Sequence, residues 1–212
     1  MSEKEILERL KKCVVEMDGE GAKAAANDAI AQGVDPLTCI DKGLSEGMKV
    51  ISDKFDNAEI YVPQIIISAE AFTDAVDILA QHIEGGYSAK GKIIIHTAEG
   101  DIHDIGKNIV AILLQANGYE VIDLGRDVLV GDVIDAAVEN DVDCIAGSAL
   151  MTTTMPAQRE IVNELKDRGL RDKFKCLFGG APTSQEWVDQ IGADGWAENA
   201  AEAVDVVAEL IK

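Results

Sequence analysis

From residue 92 onward the chain alternates short apolar runs with segments of helical periodicity, and this alternation restricts the fold more than any other feature. The runs lie at 92–97, 120–124, 143–148 and 174–178, and helical segments lie near 105–117, 130–140 and 156–168. A further helix is expected to start at Thr183, where Thr183 and Glu186 suit a capping box. A short edge strand is expected near 193–196 and a closing helix at 200–211. Runs apolar on both faces, separated by helices, predict a parallel sheet covered on both sides. Five strands suit the doubly wound, flavodoxin-like order 2-1-3-4-5. Ligands then bind beyond the carboxyl ends of strands 1 and 3.

Residues 1–84 follow another pattern. Ser2 and Glu5 form a capping box ahead of Ile6, Leu7, Leu10, Val14 and Met17, which recur at helical spacing. An alanine-rich helix is expected at 21–32. Asp35-Pro36 is an N-cap followed by proline in the first turn of a helix running to about Phe55. A fourth helix is expected from Val62 to about Ile83. These four predict a small helical bundle. The glycine-rich stretch 85–91 is the candidate linker. The expected domains are therefore a bundle at 1–87 and an α/β domain at 88–212.

Composition excludes several function classes. With 47% apolar residues the chain of 212 can bury a core, and a net charge of −20 opposes nucleic-acid binding and anionic membranes. Cys13, Cys39, Cys144 and Cys176 form no Cys-x-x-Cys pair, so neither a disulfide framework nor a thiolate zinc site is expected. No apolar run reaches membrane-spanning length, and Met1–Glu5 lacks a signal pattern, which makes a cytoplasmic protein the expectation.

Three short motifs carry the chemistry. Asp101-Ile102-His103-Asp104-Ile105-Gly106 follows strand 1, Ser148-Ala149-Leu150 ends strand 3 after 41 intervening residues, and Gly179-Gly180 follows strand 4 after 28 more. The strand order places all three on one edge of the sheet. Glu99, Asp101 and Asp104 make a phosphate loop unsuitable. A receiver-type acidic pocket would want an aspartate where Ser148 stands. His96, Asp101, His103 and Asp104 offer nitrogen and oxygen ligands for a simple metal site. The blandest reading is a solvated loop histidine near a helix N-terminus. For Thr152-Thr153-Thr154 that reading is helix capping before Pro156.

The ordered array of motifs over about 90–212 resembles the cobalamin-binding module shared with methionine synthase, in which a histidine replaces the cofactor's own base beneath cobalt. The resemblance implies that His103 is the lower axial cobalt ligand and that Asp101 holds its other ring nitrogen. It implies that Gly106 lets the displaced nucleotide tail pass, that Ser148 bonds the tail base, that Leu150 packs on it, and that Gly179 and Gly180 allow close backbone approach. Thr154 stands where methionine synthase has a serine that completes a ligand relay. Together with Gly100, Ile102, Asp104, Ile105 and Thr152, these residues form the implied cofactor-binding set. Gly47-Met48 and residues 61–70 resemble the helical cap of corrinoid proteins in anaerobic methyltransferase systems that use methylamines, methanol or methoxylated compounds.

The resemblance implies one cobalamin or related corrinoid per chain and a methyl shuttle that is not itself an enzyme. A substrate-specific methyltransferase would methylate Co(I). Methyl-Co(III) would then serve a second methyltransferase acting on coenzyme M or a tetrahydrofolate-type pterin, in a methanogen or an acetogen. A reductive activator would be a third partner. Rival readings are a cobalamin-dependent sensor, for which no basic helix-turn-helix is visible, and the cofactor subunit of a radical isomerase, which leaves residues 1–84 without a role.

Overall fold

The computed structural model describes residues 1–83 and 89–212. Most of the candidate linker, residues 85–88, and the boundary placed between 87 and 88 lie outside the described residues. The chain divides into two compact units.

The first unit is helical. α1 (Glu3–Val15) begins with the expected capping box: Ser2 Oγ accepts the Glu5 N–H, and the Glu5 carboxylate accepts the Ser2 N–H at 2.7 Å. A cap of this kind stabilises a helix by about 1 kcal/mol. Ile6, Leu10 and Val14 form its buried stripe. α2 (Gly19–Ala31) buries Ala22, Ala25, Ala26 and Ala29, small side chains that admit a close neighbour. α5 (Val62–Ala80) buries Ile65, Ser68, Phe72, Ala75 and Leu79 at helical spacing and ends three residues before the expected Ile83.

The helix expected over 36–55 is not one uniform rod. α3 (Pro36–Cys39) passes into a π-helical turn at Ile40–Leu44, which continues as α4 (Ser45–Asp56). Packing against α1 accounts for the local crowding. A Cβ on Gly43 would lie 3.0 Å from Leu10 Cβ, and one on Gly47 would lie 2.8 Å from Val14 Cβ.

The second unit is a five-stranded parallel sheet in the order β2-β1-β3-β4-β5, as expected. Its strands are β1 (Lys92–Thr97), β2 (Glu120–Asp123), β3 (Cys144–Ser148), β4 (Lys175–Gly179) and β5 (Gly195–Trp196). Intervening helices are α6 (Ile105–Ala116), α7 (Val130–Glu139), α8 (Met155–Asp167), α9 (Gln185–Ile191) and α10 (Ala200–Leu210). Alternate residues of β1 supply two cores. Ile94 packs with Ile134, Ile145, Ile161 and Phe178, while Ile93 and Ile95 pack with Leu114, Ala146, Leu177 and Val207. Cys144 and Cys176 are buried among these strands, where burial pushes the Cys176 thiol up to about 12.

The cap of α9 differs from the expectation. Ser184, not Thr183, accepts the Trp187 N–H. Thr183 Oγ1 is otherwise engaged, donating to Gly180 O at 2.6 Å and accepting the Trp196 indole N–H at 3.0 Å. No helix among the described residues is long and apolar enough to cross a membrane.

Candidate functional site

The carboxyl ends of three strands lie level, because Thr97 pairs with Ser148 and Ser148 with Gly179. The loops carrying the three motifs therefore leave the sheet side by side.

The loop after β1 begins with a tight turn in which the Asp101 N–H donates to Ala98 O at 2.9 Å. Gly100 has φ 81°, the left-handed value that the third position of a type II turn requires. This turn sends the Asp101 side chain inward, where it is fully buried. Its carboxylate meets four donors. Oδ1 faces the His103 N–H at 3.0 Å and the His103 ring Nδ1 at 2.7 Å. Oδ2 accepts the Leu150 N–H at 2.7 Å and the Thr154 hydroxyl at 2.8 Å. Burial alone would raise the carboxyl pKa. The hydrogen bonds from His103, Leu150 and Thr154 outweigh it and hold the group well below the usual carboxylate range.

An ionised carboxylate only accepts, so the neutral imidazole must carry its proton on Nδ1. Its Nε2 then presents a lone pair. The His103 side chain is 47% exposed, so that lone pair is accessible. Ile102 (62%) and Ile105 (74%) flank it as unusually exposed apolar side chains, with Leu150 (45%) on the next loop.

Asp104 O accepts the Asn108 N–H and opens α6, whose second residue is Gly106. A Cβ at Gly106 would meet no protein atom, so protein packing does not demand the glycine. Gly106 instead lines a cavity of about 140 Å³ between α6, the ends of β3 and β4, and the start of α10. Ser148, Gly179 and Gly180 line it as well, together with Ala197 and Asn199. Gly180 has a structural reason of its own: at φ 116° its Cβ would collide with the backbone of Ala149. The Lys107 side chain, only 2% exposed, reaches from α6 to Asp123 at the end of β2, with Nζ–oxygen distances of 2.5 and 2.6 Å.

The sequence-expected set is thus brought together in part. Asp101, His103, Thr154 and Leu150 form one network, and Gly106, Ser148, Gly179 and Gly180 form one cavity. Thr152 is exposed and stands outside the carboxylate network. His96 does not join the simple metal site considered from the sequence. It is buried in the sheet with both ring nitrogens unpartnered, and burial lowers its pKa to about 4. Among the described residues, no group of three His, Cys, Asp or Glu side chains is arranged to hold a metal ion. Thr154 occupies the N-cap position of α8 without capping it, because its hydroxyl turns to Asp101 and to Met151 O at 2.9 Å.

Two contributors escaped the sequence reading. The backbone N–H of Leu150, rather than its side chain, reaches Asp101. Asp127, in the loop after β2, binds the Gly100–Asp101 turn from the other side. A main-chain donor leaves no mark on residue type, and one aspartate among many acidic residues leaves no signal.

The donor set fits a metal that arrives inside a macrocycle. One oriented imidazole nitrogen can complete such a metal's coordination, and a carboxylate behind the ring is the usual support for a ligating histidine. The B12 binding domain family matches residues 91–205, and a second B12 binding domain family matches residues 6–80. Monomethylamine corrinoid protein 1 of Methanosarcina mazei is 45% identical over all of both chains. Trimethylamine corrinoid protein 2 of Methanosarcina acetivorans is 41% identical over 98% of this chain and 97% of its own. Among solved structures, the methanol:cobalamin methyltransferase complex MtaBC of Methanosarcina barkeri contains a chain superposing with a TM-score of 0.81 at 35% identity. That match covers 99% of this chain and 81% of the other.

Proposed function

The chain belongs to the corrinoid proteins of the B12 binding domain family, and from that premise we propose that it shuttles a methyl group between two methyltransferases. The observation that carries the proposal is the Asp101–His103 pair: a buried, ionised carboxylate fixes the Nδ1–H tautomer and leaves Nε2 exposed at the sheet edge.

In this reading His103 would hold the cobalt through Nε2, with the exposed side chains of Ile102 and Ile105 beside it. The cavity beside Gly106 would take the nucleotide tail. There Ser148 would offer its hydroxyl to the base and Gly179 and Gly180 would keep side chains out of its path, while Leu150, on the neighbouring loop, would pack on the base from beside the cavity. Gly100 and Asp104 shape the loop, and exposed Thr152 completes the proposed set. When bound, the corrinoid supplies the cobalt that takes up and releases the methyl group. The protein contributes orientation and a place for a proton. Asp101 remains an acceptor at neutral pH, so any proton that His103 gains would reside on Nε2. Thr154 holds the second carboxylate oxygen and keeps Asp101 aligned through that change.

The proposed partners are a substrate-specific methyltransferase, a second methyltransferase acting on coenzyme M or a tetrahydrofolate-type pterin, and a reductive activator. A methylamine is the proposed donor class, supported by the names of the relatives above. The helical unit, 1–87, is proposed as the cap that shields the methyl group. The test is a single turnover. Reduced holoprotein mixed with a methylamine and its methyltransferase is expected to form one methyl–cobalt bond per chain. Omission of the methyltransferase is expected to abolish it. Equal rates without that enzyme would mean that the chain is not a carrier.

A further inference from the structure

Asp127 is one of four non-glycine residues with positive φ among those described, at 53°. Left-handed backbone is unfavourable for most L-residues, while aspartate and asparagine tolerate it best after glycine. The conformation brings both ends of Asp127 onto the turn that aims Asp101. Its N–H donates to Asp101 O at 3.0 Å, and its Oδ1 accepts the Gly100 N–H at 2.7 Å. A second tie reinforces the first: Glu99 Oε2 accepts the Val130 N–H at 3.4 Å, at the start of α7, where Leu129 has no capping side chain. Ala98 and Val128 form an isolated parallel bridge between the same segments. The β2–α7 loop is therefore stapled to the loop that carries His103.

Of the three backbone groups that orient this turn, Asp127 holds two, the Gly100 N–H and the Asp101 carbonyl, which belong to the peptides on either side of Gly100–Asp101. The third is the Asp101 N–H bond to Ala98 O. On the other side, Asp101 grips His103 through two hydrogen bonds on one oxygen. A shift of the Asp101 backbone, freed on both flanks, would pull the carboxylate away from the ring against the hold of the Leu150 N–H and the Thr154 hydroxyl on its other oxygen. The chain of contacts runs Asp127 side chain, Gly100 N–H, Asp101 backbone, Asp101 carboxylate, His103 Nδ1.

We propose that Asp127 is a positioning residue for the cobalt ligand, setting the strength of His103 ligation by locking the turn that holds Asp101. This rests on the reading of His103 as the lower ligand, and the experiment separates the two. Three variants divide the contributions. Asp127→Asn keeps the left-handed preference and an oxygen acceptor. Asp127→Gly keeps the backbone conformation and its N–H but removes the acceptor. Asp127→Ala disfavours the conformation as well.

The first readout needs no corrinoid. Long-range proton–nitrogen NMR of the apoprotein reports the His103 tautomer. The native chain and Asp127→Asn are expected to hold Nδ1–H, while Asp127→Gly and Asp127→Ala are expected to show a mixture of tautomers. The second readout is the Co(II)/Co(I) midpoint potential of the holoprotein. A ligand that binds Co(II) and not Co(I) lowers this potential, so weaker ligation raises it. Loss of one charge-assisted hydrogen bond is expected to weaken His103 binding on the order of tenfold, or about 59 mV for a one-electron couple. Asp127→Asn is expected to stay near the native value and His103→Ala to move beyond Asp127→Gly. If His103→Ala leaves the potential unchanged, the ligand reading itself fails. If His103→Ala moves it while Asp127→Gly matches the native protein in both potential and tautomer, His103 remains the ligand and the role of Asp127 is overturned. An Asp127→Gly chain that holds no corrinoid is still decided by its apoprotein tautomer.

Discussion

At the scale of single residues, the site is a problem of one buried carboxylate. Asp101 has no solvent and four donors, so each donor is matched to an oxygen lone pair. Asp101→Asn puts an amide where two lone pairs are needed. Corrinoid affinity or methyl transfer is expected to fall roughly 10–100-fold, and the urea midpoint of the apoprotein to fall as well, since one buried donor then faces another. Normal reduction and transfer by that variant would reduce Asp101 to a turn residue. Two perturbed groups, His96 and Asp101, also set an acid limit. His96 is held neutral down to about pH 4, whereas an unfolded histidine takes its proton near 6.5. The unfolded chain thus binds more protons between these values, and stability falls as pH drops through that window, by up to roughly 3 kcal/mol. Asp101 acts lower on the scale. Its depressed pKa stabilises the fold above about pH 4, and that contribution is lost as acid protonates it. Urea titrations of the apoprotein between pH 7.5 and 4.5 are expected to show the first slope, and His96→Leu is expected to flatten it. An unchanged slope in that variant would place the acid sensitivity elsewhere.

At the scale of elements, legibility followed the range of the forces involved. The strand–helix alternation, the Ser2 cap and the sheet order were readable, because periodicity and short-range hydrogen bonding determine them. The π-turn at Ile40–Leu44 was not, since Gly43 and Gly47 meet α1 only after the helices pack. Thr183 and Ser184 are both cap formers by type, and Trp196 and Gly180, which occupy the Thr183 hydroxyl, leave the cap to Ser184. The same holds for the site. Motif spacing marked the residues that share an edge, while the Leu150 N–H and Asp127 became visible only when two loops met. Gly180 tests this level. Its left-handed backbone and its approach to Ala149 leave no room for a methyl group. Gly180→Ala is expected to destabilise the apoprotein by about 2 kcal/mol or more, measured by urea denaturation. Gly106→Ala, free of protein neighbours, is expected to spare stability and weaken corrinoid binding instead. Equal loss of stability in both would contradict this division.

At the scale of the whole molecule, the arrangement suits a carrier: an oriented imidazole, a cavity lined by Gly106, Ser148, Gly179 and Gly180, and a net charge of −20 that would speed encounter with a partner basic at its docking face. If the helical unit shields the methyl group, a chain limited to residues 92–212 is expected to bind corrinoid but to lose methyl–cobalt faster under light and oxygen than the full chain. Equal lifetimes would remove the cap role. All of this depends on His103 reaching cobalt. The most direct test is electron spin resonance of the Co(II) holoprotein, prepared once with natural histidine and once with ¹⁵N-histidine. Nitrogen splitting is expected to change from a triplet to a doublet pattern on labelling and to disappear in His103→Ala. Splitting that ignores the label, and so comes from the cofactor's own base, would contradict ligation by His103.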